Sequence, residues 1–131
     1  MRIRPIAACA LALFALMTVS TAARAAGALD GKSFAGQVGE QGKTQGDADT
    51  LVFKDGKFRS TACDKYGFGD APYTTKLEKA VTTAEAVTKN DKGETMEWTL
   101  STFGELMSGK ALYKRPGKDT VTYWVKAKLK R

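Results

Sequence analysis

Thr95-Met96-Glu97-Trp98-Thr99-Leu100-Ser101-Thr102-Phe103-Gly104-Glu105-Leu106-Met107-Ser108-Gly109-Lys110-Ala111-Leu112-Tyr113 decides the fold of this chain. Polar and apolar residues alternate from Thr95 to Ser101, the period of a half-buried strand, and put Met96, Trp98 and Leu100 on one face. Gly104-Glu105 is a glycine-first pair suited to a type II′ hairpin turn. It pairs Phe103 with Leu106, Leu100 with Gly109 and Trp98 with Ala111. Met107, Gly109, Ala111 and Tyr113 then join the same face. Arg115-Pro116-Gly117-Lys118-Asp119 is a second turn cluster. Read as a five-residue loop, it pairs Tyr113 with Val121 and turns Val121, Tyr123, Val125, Ala127 and Leu129 inward. A slip of one residue would throw every side chain to the opposite face, so three strands agreeing in register define an antiparallel meander.

Working outward, Asp55-Gly56 is a type I′ signal that pairs Phe53 with Phe58, both on one face. Ser33–Val38 is a short strand with Phe34 and Val38 inward, and the glycine-rich stretch from Gly39 to Asp47 reads as a mobile loop. Ala26–Lys32 reads as a poorly ordered start with a turn at Leu29-Asp30-Gly31. Thr61–Tyr73 breaks the alternation and is a specialised connection. Strands over Tyr73–Lys79 and Ala80–Thr88 follow, joined closely or through a bend that no turn signature places, and Asn90-Asp91-Lys92-Gly93 turns the chain into the meander. About eight strands in sequential hairpins make an all-β domain, expected as a single antiparallel up-and-down barrel, with a β-sandwich as the alternative. The expected interior is Phe34, Phe53, Phe58, Met96, Trp98, Met107, Tyr113 and Tyr123. Gly109 and Ala111 beside them leave room either for a ligand or for the indole of Trp98.

The N-terminus reads as a secretory signal peptide: Arg2 and Arg4, an uncharged run of 14 residues from Ile6 to Val19, and a small-x-small site at Ala23-Arg24-Ala25. The run is shorter than the roughly 20 residues of a membrane span. The expected product is residues 26–131, a single domain in the periplasm or secreted. Loss of Arg2, Arg4 and Arg24 takes the net charge from +7 to +4. The remaining charge is uneven, with eight Lys or Arg against Asp119 alone after Glu105. Such an asymmetry fits an anionic partner. Cys9 leaves with the signal, so Cys63 has no partner for an intramolecular disulfide, and the chain has no histidine. The commonest general base and metal ligand are thereby excluded.

Three groups of residues carry chemistry. Cys63, Tyr66, Phe68 and Tyr73 on the irregular connection, with Trp98 and Tyr113 inside, are candidates to bind a small hydrophobic or amphipathic ligand at a barrel mouth. Cys63, near Arg59 and Lys65, is read as an inert buried thiol before a reactive one. Asp47, Asp49, Asp64 and Asp70 match no cation-binding loop, so no metal and no cofactor is expected, and Asp47 and Asp49 are read as turn caps. Trp124, Lys126, Lys128 and Lys130 project from the face opposite Tyr123 and Val125. They form either a surface for an anionic envelope partner or a lysine guard on an edge strand. Nucleic acid is not an expected partner.

Leu29-Asp30-Gly31-Lys32-Ser33-Phe34, Asp49 to Phe58, Ser60-Thr61-Ala62-Cys63-Asp64, Gly67-Phe68 and Ala71-Pro72-Tyr73 together resemble a group of small exported bacterial β-rich proteins of unassigned function. The architecture is more distantly similar to the calycins, lipocalins in particular. That resemblance implies a barrel binding a small apolar molecule, although Gly31-Lys32-Ser33 lacks the tryptophan of the lipocalin Gly-x-Trp motif. The sequence therefore points first to a non-catalytic barrel that binds a small ligand, and second to an envelope interaction protein docking through its Trp/Lys strand.

Overall fold

A computed structural model of the chain describes residues 24–25 and 27–131. The expected signal peptide otherwise lies outside the described residues. Among the described residues nine strands form: β1 (Arg24–Ala25), β2 (Ser33–Glu40), β3 (Asp47–Lys54), β4 (Lys57–Ser60), β5 (Ala71–Glu78), β6 (Val81–Lys89), β7 (Thr95–Phe103), β8 (Leu106–Lys114) and β9 (Val121–Leu129), with a 3₁₀ helix, η1, at Thr61–Tyr66. Strands β2 to β9 pair antiparallel in chain order, and β2 closes on β9, which makes an eight-stranded up-and-down barrel. The sandwich alternative does not hold. Strand β4 is short and meets β5 only through Lys57–Pro72 and Phe58–Ala71. Beyond that seam, Arg24 and Ala25 pair with Lys76 and Thr75 of β5.

The meander has the register its alternation demands. Phe103 pairs with Leu106, Leu100 with Gly109, Trp98 with Ala111 and Tyr113 with Val121. Gly104 sits at φ +60°, as the first position of the hairpin turn requires. Asp55 and Gly56 both take positive φ, and Phe53 pairs with Phe58. The turn between β5 and β6 is Lys79-Ala80, with φ of 49° and 68°. These are hairpin dihedrals on two residues that carry no turn signature, which is why sequence left this junction open.

The interior is a packed aromatic column. Phe53 meets Phe34 at 6.1 Å, Phe58 at 5.2 Å and Tyr73 at 4.9 Å between ring centroids. Phe58 meets Trp98 at 5.0 Å. Trp98 is flanked across both neighbouring strands by alanines, Ala86 and Ala111, and its indole N–H donates to Thr88 Oγ1 at 3.2 Å. The small residues thus make room for Trp98. Gly109 leaves no space either: a Cβ there would lie 2.1 Å from the Thr99 carbonyl oxygen, so the β7 backbone occupies that place. Burial of these side chains is the main force closing the barrel, at roughly 25 cal/mol per Å² of apolar area removed from water.

The start of the domain is anchored, contrary to the expectation of a loose lead-in. Leu29 is buried, and its N–H donates to the Tyr73 hydroxyl at 2.9 Å. The loop after β2 is shorter than expected and tied down: Trp124 Nε1 donates to the Lys43 carbonyl at 2.8 Å, and Gly46 N–H to Gln37 Oε1 at 3.3 Å.

Candidate functional site

Up-and-down pairing puts η1, the β2–β3 loop, the Asn90–Glu94 turn and the β8–β9 loop at one end of the barrel. The Asp55-Gly56, Lys79-Ala80 and Gly104-Glu105 turns and the C-terminus lie at the other.

At the first end, η1 is started from inside the barrel. Asp49 is on the inward face of β3 with Leu51 and Phe53, and all three are buried. Its Oδ2 accepts from Ser60 Oγ at 2.5 Å, while Oδ1 accepts from Ala62 N–H at 3.0 Å and Thr61 Oγ1 at 3.3 Å. Thr61 Oγ1 in turn accepts from Thr50 N–H at 3.1 Å. A carboxylate placed on the first N–H groups of a helix satisfies donors that the helix cannot. Asp49 is therefore a cap, as the sequence indicates, but of η1 and not of a local turn. The far end of η1 is held by Asn90, whose amide donates to the Tyr66 carbonyl at 3.2 Å and to Glu94 Oε1 at 2.8 Å.

Cys63 lies half-buried on η1, against the core. Burial pushes its thiol pKa up, the Ser60 hydrogen bond opposes this, and Asp49 and Asp64 raise it further. The neutral thiol is thus the stable form, the opposite of what a nucleophile needs. Arg59 does not activate it, since its guanidinium pairs with Asp64 at 3.5 Å. Phe68 is buried and stacks edge-on against Tyr113 at 6.2 Å, so it plugs this end. Tyr66 is 62% exposed, with Lys65 over its ring. Tyr113 and Tyr123 are half-buried here beside Arg115, whose guanidinium lies 5.0 Å from the Tyr113 ring. Arg115 Nε is buried without a hydrogen-bond partner among the described residues.

The six expected ligand-binding residues therefore do not form one site. Cys63, Tyr66, Phe68 and Tyr113 cluster at this end. Tyr73 does not: its hydroxyl donates to Asp30 Oδ1 at 2.7 Å at the opposite end, where Asp30 also accepts from Gly56 N–H at 3.0 Å. Trp98 lies in the packed middle. Two concavities open to solvent lie on the barrel wall, one along Gly69, Asp70, Pro72, Glu85 and Val87, the other along Val52, Lys54, Lys57, Arg59 and Asp70.

The second expected group stays together. Trp124, Lys126 and Lys128 follow one another along the outside of β9, and Lys130 continues the row just past its end. Strand β9 is no edge: β2 pairs along one side and β8 along the other, so a lysine guard against edge pairing has nothing to guard. Trp124 lies over Gly39 of β2, where a Cβ would come within 2.3 Å of its ring. Lys126 Nζ sits 5.7 Å from the indole centroid. Cross-strand neighbours add Lys110 beside Trp124 and Leu106 beside Lys128. Strands β8 and β9 hold no acidic residue. Nearby carboxylates are engaged elsewhere: Glu97 with Lys114 at 3.0 Å, Glu40 with Lys43 at 3.7 Å, Glu105 with Arg131. Among the described residues, Lys110, Lys126, Lys128 and Lys130 have no ion-pair partner. Elsewhere the outer wall carries Glu85, Thr99, Ser101 and Ser108 at mid-strand, with Val87 exposed among them, while the interior is mainly apolar, unlike the apolar outer band and polar lumen of a membrane-spanning barrel. No helix among the described residues is long and apolar enough to cross a membrane.

Comparison of the chain with protein-family models, with curated proteins and with solved structures finds no match.

Proposed function

We propose that this protein is a non-enzymatic interaction module of the bacterial envelope that docks on an anionic surface through the outer face of β8 and β9. The observation that carries the reading is the row Trp124, Lys126 and Lys128 on a strand hydrogen-bonded along both sides, continued by Lys130 just past its end, joined by Lys110 and free of carboxylates. Unpaired lysines on a rigid sheet repel one another, and an anionic partner relieves that repulsion. The barrel supplies the rigid platform, and its packed interior directs recognition to the outside. The test is retention of the 26–131 chain on immobilised polyphosphate across a salt gradient. Retention should weaken steeply with salt and be lost in K126E/K128E/K130E. Equal retention of the triple variant would sink the reading.

A second reading keeps a small amphipathic ligand at the Cys63 end. It is favoured by the buried, unpartnered Arg115 Nε beside the half-buried Tyr113, Tyr123 and Cys63. Native mass spectrometry of the 26–131 chain, purified from an exporting host, would detect such a ligand as an added mass lost on denaturation. A bare mass there, and in R115Q, would dismiss it.

A further inference from the structure

The basic face ends in an apolar tip. Phe103 and Leu106 flank the Gly104-Glu105 turn, pair directly across β7 and β8, and project outward because Thr102 and Met107 beside them point in. They are 65% and 61% exposed. Of the five large apolar side chains exposed among the described residues, these two and Leu77 lie at the same end of the barrel. Lys128 is the cross-strand partner of Leu106, which makes the basic row and the apolar pair one continuous surface. The only charge in the turn itself is Glu105, and Arg131 neutralises it. The Glu105 carbonyl also accepts from Leu129 N–H at 2.7 Å, which fixes the tip against the end of β9. Three further carboxylates lie at this end: Glu78 at the end of β5 beside the adjacent β5–β6 turn, Asp55 on the β3–β4 turn across the barrel, and Asp30 ahead of β2, held by Gly56 N–H and the Tyr73 hydroxyl.

From this juxtaposition we infer that the partner of the basic face is a lipid bilayer with anionic phospholipid headgroups, and that the Phe103–Leu106 tip is its apolar anchor. The inference rests on the docking reading above and names its partner. Two apolar side chains make a small patch, and a lone apolar anchor gives only marginal, reversible membrane binding; stable attachment needs a second signal such as a polybasic patch. Here both signals share one rigid sheet. Lysines at Lys126, Lys128 and Lys130 meet headgroup phosphates while the tip reaches the headgroup–acyl boundary, about 5–10 Å deep. A soluble polyanion would use the lysines and ignore the tip, which is how the two partners separate.

The experiment is co-sedimentation of the 26–131 chain with vesicles of phosphatidylglycerol and phosphatidylcholine, beside vesicles of phosphatidylcholine alone, with polyphosphate retention as a parallel readout. Binding is expected to the mixed vesicles only. F103S/L106S should lower that binding at least tenfold and leave polyphosphate retention unchanged, since both side chains are exposed. In a separate variant, Phe103→Trp should give emission quenched by brominated lipid. Equal vesicle binding by F103S/L106S overturns the anchor and leaves the docking face standing. Polyphosphate retention with no vesicle binding by the parent chain overturns the bilayer as partner, and loss of retention on both supports overturns the docking reading itself.

Discussion

The Tyr73 hydroxyl donates to Asp30 Oδ1 at 2.7 Å while accepting from the N–H of Leu29 at 2.9 Å. This pair locks the entry of the chain onto the inside of β5. Because the same Asp30 carboxylate accepts from Gly56, one end of the barrel is sealed by groups far apart in sequence. Tyr73→Phe leaves the Leu29 N–H and the Asp30 carboxylate each short of a partner, and should cost about 1–3 kcal/mol at neutral pH. Chemical denaturation measures it, and a loss near zero would show that the seal contributes nothing.

The same phenol sets a pH dependence. Burial, and next the Asp30 hydrogen bond, push the Tyr73 pKa up to about 12 from its ordinary value near 10. A group whose folded pKa is raised contributes stability that is complete below its unfolded pKa and lost as pH climbs through the folded one. Unfolding free energy should therefore fall between about pH 10 and 12, and fall less steeply in Tyr73→Phe. Identical slopes in the two proteins would refute the assignment.

Cys63 should react slowly with iodoacetamide at neutral pH, since its thiol is held protonated by burial first and by Asp49 and Asp64 after the opposing Ser60 bond. Removing a negative neighbour that makes no cap should accelerate it: Asp64→Asn is expected to raise the alkylation rate a few-fold. Asp49→Asn should also cost about 1–3 kcal/mol, because Ser60, Thr61 and Ala62 all depend on that carboxylate. An unchanged alkylation rate in Asp64→Asn would dismiss the electrostatic account.

Ala80 takes φ +68° in a two-residue turn where an L side chain is strained by about 1–2 kcal/mol. Ala80→Gly should therefore stabilise the protein by about 0.5–1 kcal/mol, after the larger unfolded-state freedom of glycine is deducted. A lower melting temperature for this variant would contradict the turn geometry.

Gly109→Ala tests the close approach of β7 and β8. A methyl group 2.1 Å from the Thr99 carbonyl oxygen must move backbone, at a cost of about 1–3 kcal/mol. If that variant proved neutral, the place opposite Gly109 would be open after all, and the interior less full than described.

Much of the barrel was legible because its hairpins are local. Gly104-Glu105 and Asp55-Gly56 carry turn chemistry that fixes register without reference to distant strands, and Lys79-Ala80, which lacks it, was the junction that could not be read. The inward Asp49 was legible in principle, since it shares the period-two face of Leu51 and Phe53; alternation marks a carboxylate inside but not what it caps. Expecting Tyr73 beside Cys63 failed for a physical reason. The chain reverses after η1, and β5 then carries Tyr73 away from Cys63 toward the other end, a path set by pairing with Phe58 and Lys57 and not by sequence proximity.

The sequence by itself determined the strands, most turns, the inward and outward faces and the lysine row on β9, because each follows from a period of two and from local dihedral preferences. Only the tertiary structure decided that β2 closes on β9, that Trp98 takes the room left by Ala86 and Ala111, and that β9 has no free edge. Closure depends on summed twist and on side-chain volumes meeting across the barrel, and those are properties of strands brought together, not of any one strand.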